Sequence, residues 1–445
     1  VKHSRTLISS LLALASSSAA AVESYDIIDL GNLGTNPAFV FDVNNAGIAV
    51  GYSAGPLVDV EGSDTQQPDF TSHAFAFDNP TMTDLGAIVN DTESFDLSVA
   101  FSINENNVAI GYSFKEVERT DSNGDPFTTV IEKPIYIDTA SQAITEIPSF
   151  DASDEQPGRA LSGNDNTLFV GFGKFNPPDD TDDSGNALDT YYDRGFIYDS
   201  SDSSLVRIDP LTDNTGLLSV MRDVNNNGIA TGWAQKNVDD IVLSVAFYVD
   251  HADPTNVVEM SLLSDGNSFP WAINNAGVIV GRAADAEKTH FTAFSYDVAT
   301  QSVTDLGVLN ENSPFSEAFD INNNNQIVGT STNSVFPTTN HAFIYEDGVM
   351  KDLNDLIDCK VDGSEPIAPA NWTLSEARAI NDNGVIVGNG ILDGVPKGFM
   401  LIPRPGQQPQ ACQPFFTEDS SGSGSFPLSW IAFLLVGGIW VRRKS

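Results

Sequence analysis

The sequence predicts an all-β protein, a seven-bladed β-propeller of four-stranded repeats, and three observations predict it. First, Val43-Asn44-Asn45-Ala46-Gly47-Ile48-Ala49-Val50-Gly51 sets a pattern that returns six times, closing at Gly111, Gly171, Gly232, Gly281, Gly329 and Gly388. The closing glycines lie 60, 60, 61, 49, 48 and 59 residues apart, a period that marks stacked supersecondary units. Second, each copy is preceded by two more strand-like runs, so that every repeat holds four short strands. Third, small antiparallel sheets of this kind bury their faces by packing on their neighbours, as propeller blades do. A β-solenoid is the alternative.

The repeated pattern reads as a hairpin. Its first turn residue is Asn, whose side chain can bond the backbone two residues on, and its fourth is Gly, where φ is expected to be positive. Asn107 and Asn325 replace that Gly, and Asn tolerates the left-handed region best among the other residues. The third copy departs, with Thr167 at the Gly position and Gly163 at the apolar one, so that turn must close differently.

The second run is aromatic with small residues: HAFAF at 73–77, PIYI at 134–137, GFIY at 195–198, VAFYV at 245–249, TAFSY at 292–296, HAFIY at 341–345 and GFMLI at 398–402. The third is short and often acidic in its third place, as in IIDLG at 27–31, MTDLG at 82–86, VTDLG at 303–307 and MKDL at 350–353. Two blade phases remain open. With the aromatic run innermost, 398–402 would close the first blade like a clasp; with it outermost, all seven blades would be contiguous.

In chain order, residues 1–21 carry Lys2, His3 and Arg5, an apolar stretch and a run of small residues. This is the make-up of a secretory signal peptide cut after Ala21 by signal peptidase. The propeller is expected over 24–403. Long connections at 54–72, 114–133, 174–194 and 333–340 should emerge on one face, where a ligand is first sought. Residues 404–425 form a Pro/Gln/Ser/Gly linker. Residues 426–441 are apolar and precede Arg442, Arg443 and Lys444, which predicts a transmembrane segment with a basic cytoplasmic tail at 442–445 and the propeller outside. The predicted localisation is therefore the cell surface or the extracellular space.

Lys plus Arg number 21 against 61 acids, a net charge of −40, which argues against a nucleic-acid partner. Oxygen-bearing residues at alternate positions with a turn Gly suit calcium: Asp121, Asn123 and Asp125 in one loop, and Asp179, Asp180, Asp182, Asp183 and Asp189 in another. Solvated acidic turns are the plainer reading of both. Cys359 and Cys412, an even count in an exported chain, predict a disulfide. No catalytic residue is assigned. Gly51-Tyr52-Ser53-Ala54-Gly55 matches a nucleophile elbow, but Gly51 and Tyr52 are repeat positions and no helix pattern follows. His73 and His341 share one repeat position and read as structural. Phe41, Phe101, Trp271 and Phe319 share another and read as packing between blades. Arg222 and Arg378 occupy that position in two other copies. An arginine there needs a partner or a channel, so these two are the ligand-binding candidates.

The HAFIY, VTDLG, AFDIN and NQIVG elements resemble the HAF-repeat family of extracellular bacterial proteins of unknown function. The tail SSGSGSFPLSWIAFLLVGGIWVRRKS resembles the GlyGly-CTERM sorting signal, with Gly422-Ser423-Gly424 where adjacent glycines are usual; the resemblance implies a rhomboid-type sorting protease as a partner. The function expected is a binding module for an extracellular polysaccharide or envelope protein, more an interaction protein than an enzyme. A secreted polysaccharide hydrolase or lyase with channel carboxylates is the first alternative, and a structural envelope or matrix protein the second.

Overall fold

The computed structural model describes residues 22–409 apart from 36, 60–65, 69–71, 91–95, 121–122, 152–154, 177–190, 213–215, 337, 359–360, 363–364 and 367–371. Seven four-stranded antiparallel sheets stand around a central axis. Their innermost strands are Ala38–Val43, Ser98–Ile103, Gly158–Gly163, Ser219–Val224, Ser268–Ile273, Ser316–Ile321 and Trp372–Ile380. Each of these packs on the next, and the last packs on the first. The chain thus forms a ring and not a solenoid.

The blade phase is neither of the two expected. From the axis outward, each blade runs hairpin first strand, closing-Gly strand, aromatic strand, acidic strand. The clasp is made by the N-terminal strand Val22–Asp29, which pairs with Val395–Pro405 as the fourth strand of the last blade, Ile27 opposite Leu401 and Asp29 opposite Phe399. The acid of the outer strand faces a basic head on the aromatic strand: His73 Nδ1 bonds Asp84 at 2.9 Å, His341 Nδ1 bonds Asp352 at 2.6 Å, and Lys397 pairs with Asp29 at 3.2 Å. His73 Nε2 also meets Asp96 at 3.0 Å. Both histidines are structural, as expected.

All seven innermost strands carry a bulge at the same place, for example between Val40 and Asp42 and between Ala318 and Asp320. The extra residue has no partner on the next strand and projects into the axis. The bulge also explains the closing glycine. A Cβ on Gly51 would lie 1.9 Å from the Phe39 carbonyl oxygen, and one on Gly329 2.0 Å from that of Glu317. The positive φ expected at the fourth turn residue holds at Gly47 (83°), Asn107 (61°), Gly228 (82°), Gly277 (82°), Asn325 (62°) and Gly384 (76°). Thr167 does not adopt it, and its N–H makes no bond to Asn164 like the one Gly228 makes to Asn225 at 3.1 Å.

Three expectations are corrected here. Among the described residues no helix is long and apolar enough to cross a membrane. The expected fold is corrected to a propeller without a membrane-crossing helix among the described residues, and the membrane-attached localisation is withdrawn; 426–441, Gly422 and Gly424 lie outside the described residues, as does Ala21. No disulfide is present among the described residues, and both Cys359 and Cys412 lie outside them.

Candidate functional site

The site is built by the seven hairpin turns. The first Asn of each turn donates its Nδ2–H to the carbonyl of the next blade's Asn: Asn44 to Asn104 (3.2 Å), Asn104 to Asn164 (3.0), Asn164 to Asn225 (3.1), Asn225 to Asn274 (2.9), Asn274 to Asn322 (3.1), Asn322 to Asn381 (3.0) and Asn381 to Asn44 (2.8). The Oδ1 of each accepts from its own turn, as Asn225 does from Asn227 and Ile229. The next residues form a second closed ring, each backbone N–H bonded to the following side chain, through Asn45, Glu105, Asp165, Asn226, Asn275, Asn323 and Asp382. These rings frame the mouth of an axial cavity of about 490 Å³.

Below the mouth lie Asp42, Asp223 and Asp320, at one repeat position held elsewhere by Ser or Ala. Each carboxylate takes two backbone N–H groups, one from its own blade and one from the next: Val43 and Ile103 for Asp42, Val224 and Ile273 for Asp223, Ile321 and Ile380 for Asp320. Three aspartates therefore serve six blades; the third blade instead donates Ser162 Oγ to Asp223 at 2.6 Å. Burial holds all three carboxyls above the usual carboxylate range, and Asp42 raises Asp320 further by repulsion.

The bulge residues form a collar across the cavity: Phe41, Phe101, Leu161, Arg222, Trp271, Phe319 and Arg378. The aromatic members meet across neighbouring blades, as expected, and do so around the axis. Phe41 and Phe101 centroids are 5.5 Å apart, and Trp271 and Phe319 5.9 Å apart and nearly perpendicular. Arg222 lies 4.0 Å from the Trp271 ring centre, and Arg378 4.1 Å from Phe319 and 5.5 Å from Phe41. Trp271 is oriented by a 2.6 Å bond from Nε1 to the buried Glu317. Burial, then repulsion from Arg378, lowers the Arg222 pKa to about 9.

The structure thus brings Arg222 and Arg378 into one cavity, and that cavity opens on the turn face, opposite the long connections where the ligand was first sought. The sequence reading missed Asp42, Asp223, Asp320 and Glu317. Aligning the copies one residue past the collar shows the Asp/Ser/Ala position. Ser53 is fully buried; its Oγ accepts Leu33 N–H at 2.9 Å and donates to Ala54 O at 3.3 Å, which leaves no nucleophile elbow. Of the calcium candidates, Asn123 and Asp125 flank Gly124 in a hairpin turn, whereas Asp121, Asp179, Asp180, Asp182, Asp183 and Asp189 lie outside the described residues. No cluster of three metal-binding side chains occurs among the described residues.

No curated protein matches the chain. Among solved structures it is similar to an oligogalacturonate lyase in complex with manganese (12% identity, 86% of this chain and 98% of that one, TM-score 0.41). It is also similar to an oligogalacturonate lyase from Vibrio parahaemolyticus (10%, 86% and 98%, TM-score 0.42) and to a Trypanosoma rangeli sialidase in complex with sialic acid (10%, 84% and 60%, TM-score 0.35). The extracellular domain of a one-component system from B. thetaiotaomicron is similar at 10% identity, with 84% of this chain matching only 39% of that one and a TM-score of 0.40. Likeness at this level concerns the fold alone. The leaning against an enzyme is withdrawn on physical grounds, because a propeller scaffold by itself weighs neither for nor against catalysis. A family model matches residues 139–311 and 310–398, more than half of the sequence, and the chain belongs to that family, described as protein of unknown function (DUF3466).

Proposed function

We propose that the protein takes a saccharide into the axial cavity from the turn face and acts on it there as a polysaccharide hydrolase or lyase. The observation that carries this reading is the collar: aromatic faces, two guanidiniums and three nearby carboxyls converge on one cavity of about 490 Å³, within the ~300–1,000 Å³ typical of ligand sites. Trp271, Phe319 and Phe41 offer apolar faces for a sugar ring, and the amides of Asn45, Asn226, Asn275 and Asn323 surround the mouth. Asp42 and Asp320, with pKa values raised by burial, are the carboxyls placed to give a proton near neutral pH.

A second reading, retention of the saccharide without cleavage, is supported by the backbone N–H groups that occupy both oxygens of each aspartate. One experiment separates the two. The full chain is incubated with a panel of polysaccharides, and products are followed by reducing-end assay and by absorbance of unsaturated sugars, alongside Asp320→Asn and Trp271→Ala. Products abolished by both variants support action on the sugar. Binding lost in Trp271→Ala without any product supports retention. A panel with neither binding nor products defeats both readings.

A further inference from the structure

Arg222 is the residue the fold leaves unexplained. Neighbouring arginines are matched to acids: Arg159, which also lines the cavity, makes two bonds to Glu132, at 2.6 and 2.5 Å, and Arg282, one strand outward in the fifth blade, lies 3.3 Å from Glu317. Arg222 has no hydrogen-bond or ion-pair partner among the described residues, and its Nε is buried. Arg378 has one weak pairing, to Glu376 at 3.7 Å, and its Nε is likewise buried without a partner. Guanidinium groups left this way forgo the charge-assisted bonds that normally offset burial. The nearest carboxylates are already engaged. Glu317 is held by Trp271 and Arg282, and Asp223 by two backbone N–H groups and Ser162.

The collar is also lopsided. One arc runs Arg222, Trp271, Phe319, Arg378, with each cation stacked on an aromatic ring. The opposite arc, Phe41, Phe101 and Leu161, carries no charge. A ligand matching this collar has an apolar face and one anionic edge.

Resting on the saccharide reading above, we infer that the cavity is specific for a saccharide bearing a carboxylate, with Arg222 as its principal anion-binding residue and Arg378 as the second. The planar fork of Arg222 matches the two in-plane oxygens of a carboxylate, whereas its five donors find nothing to bond in a neutral sugar's apolar face. Trp271 and Phe319 carry the pyranose ring between the two cations. Glu317 is a positioning residue that fixes Trp271.

The test is isothermal titration of the full chain with three probes: a uronic-acid trisaccharide, its methyl ester, and a sulfated trisaccharide. The uronate is expected to bind at least tenfold more tightly than the ester, and Arg222→Gln to remove that difference. Arg378→Gln should reduce it in part, and serves if Arg222→Gln fails to fold. Raising salt from 50 to 500 mM should weaken the uronate more than the ester. Equal binding of uronate and ester overturns the inference and leaves the saccharide reading standing. A sulfated probe that binds as tightly as the uronate overturns the carboxylate assignment. Absence of binding by all three removes the saccharide reading and the inference with it.

Discussion

Replacing Gly329 by Ala puts the bulge argument to a quantitative test. The added Cβ would sit 2.0 Å from the Glu317 carbonyl oxygen, 2.8 Å from Phe343 Cε1 and 2.9 Å from Ala318 Cα. Ordinary contact begins near 3.4 Å, so the innermost strand must retreat by the difference, about 1.4 Å. The closest obstacle is backbone, which cannot swing away as a side-chain end can. Overpacking of this kind costs ~1–3 kcal/mol, and the retreat stretches the neighbouring ladder bonds past bonding range at roughly 1 kcal/mol each. The expected loss is about 4 kcal/mol. Gly348→Ala is the control: its φ is +80° and nothing lies within 4 Å, so only the backbone penalty of ~1–2 kcal/mol applies. Urea unfolding followed by tryptophan fluorescence measures both. If Gly329→Ala unfolds at the same or higher urea concentration than Gly348→Ala, the strand at the bulge is free to move and the reasoning is refuted.

Asn225→Ala should cost about 3 kcal/mol in the same assay, because it leaves the Asn274 carbonyl and the N–H groups of Asn227 and Ile229 without their partner; Asn226→Ala, on the exposed ring, should cost under about 1 kcal/mol. Stability should peak near pH 4–5. Asp320, pushed up to about 8 by burial, holds its proton more tightly folded than unfolded, so its contribution falls as pH rises from about 4 toward 8. The raised pKa values of His73 and His341, caused by their aspartate partners, act in the same direction above about 6.5. The lowered values of Asp84 and Asp352 withdraw their contribution as pH falls below 4. Thermal melts across pH 3–9 check this, and a midpoint that rises from pH 6 to 8 contradicts it. Deleting Val22–Asp29 should abolish cooperative unfolding, since the edge of Val395–Pro405 then stands open beside Phe399 and Leu401.

The fold was legible because the bulge and turn leave chemical marks at fixed spacing. The closing glycines answer a steric demand, and Asn44 and its counterparts answer a hydrogen-bonding one, so both recur in every copy. The blade phase was hidden because strand order is set by pairing between distant segments: Ile27 finds Leu401 across the whole length of the chain. Arg222 and Arg378 were visible as exceptions within the collar position. The aspartates were not, because Asp42, Asp223 and Asp320 sit in three copies among four that carry Ser or Ala, and sharing of one carboxylate between adjacent blades leaves no sequence period. The face on which the cavity opens was hidden because loop length, a guide to exposed variable surface, says nothing about where an axial cavity opens.

The head-to-tail circle of turn asparagines has a further thermodynamic meaning. In an open stack of repeats there is always a terminal unit that can peel off by breaking a single interface, so unfolding begins at an end and creeps inward. The circle from Asn44 through Asn381 and back has no terminal unit. Removing any blade first severs two interfaces, and only later losses proceed at one each. Local opening is thereby penalised as a nucleation event, and the seven repeats, though each is a small sheet, should melt as one body while an equal number in a line would fray.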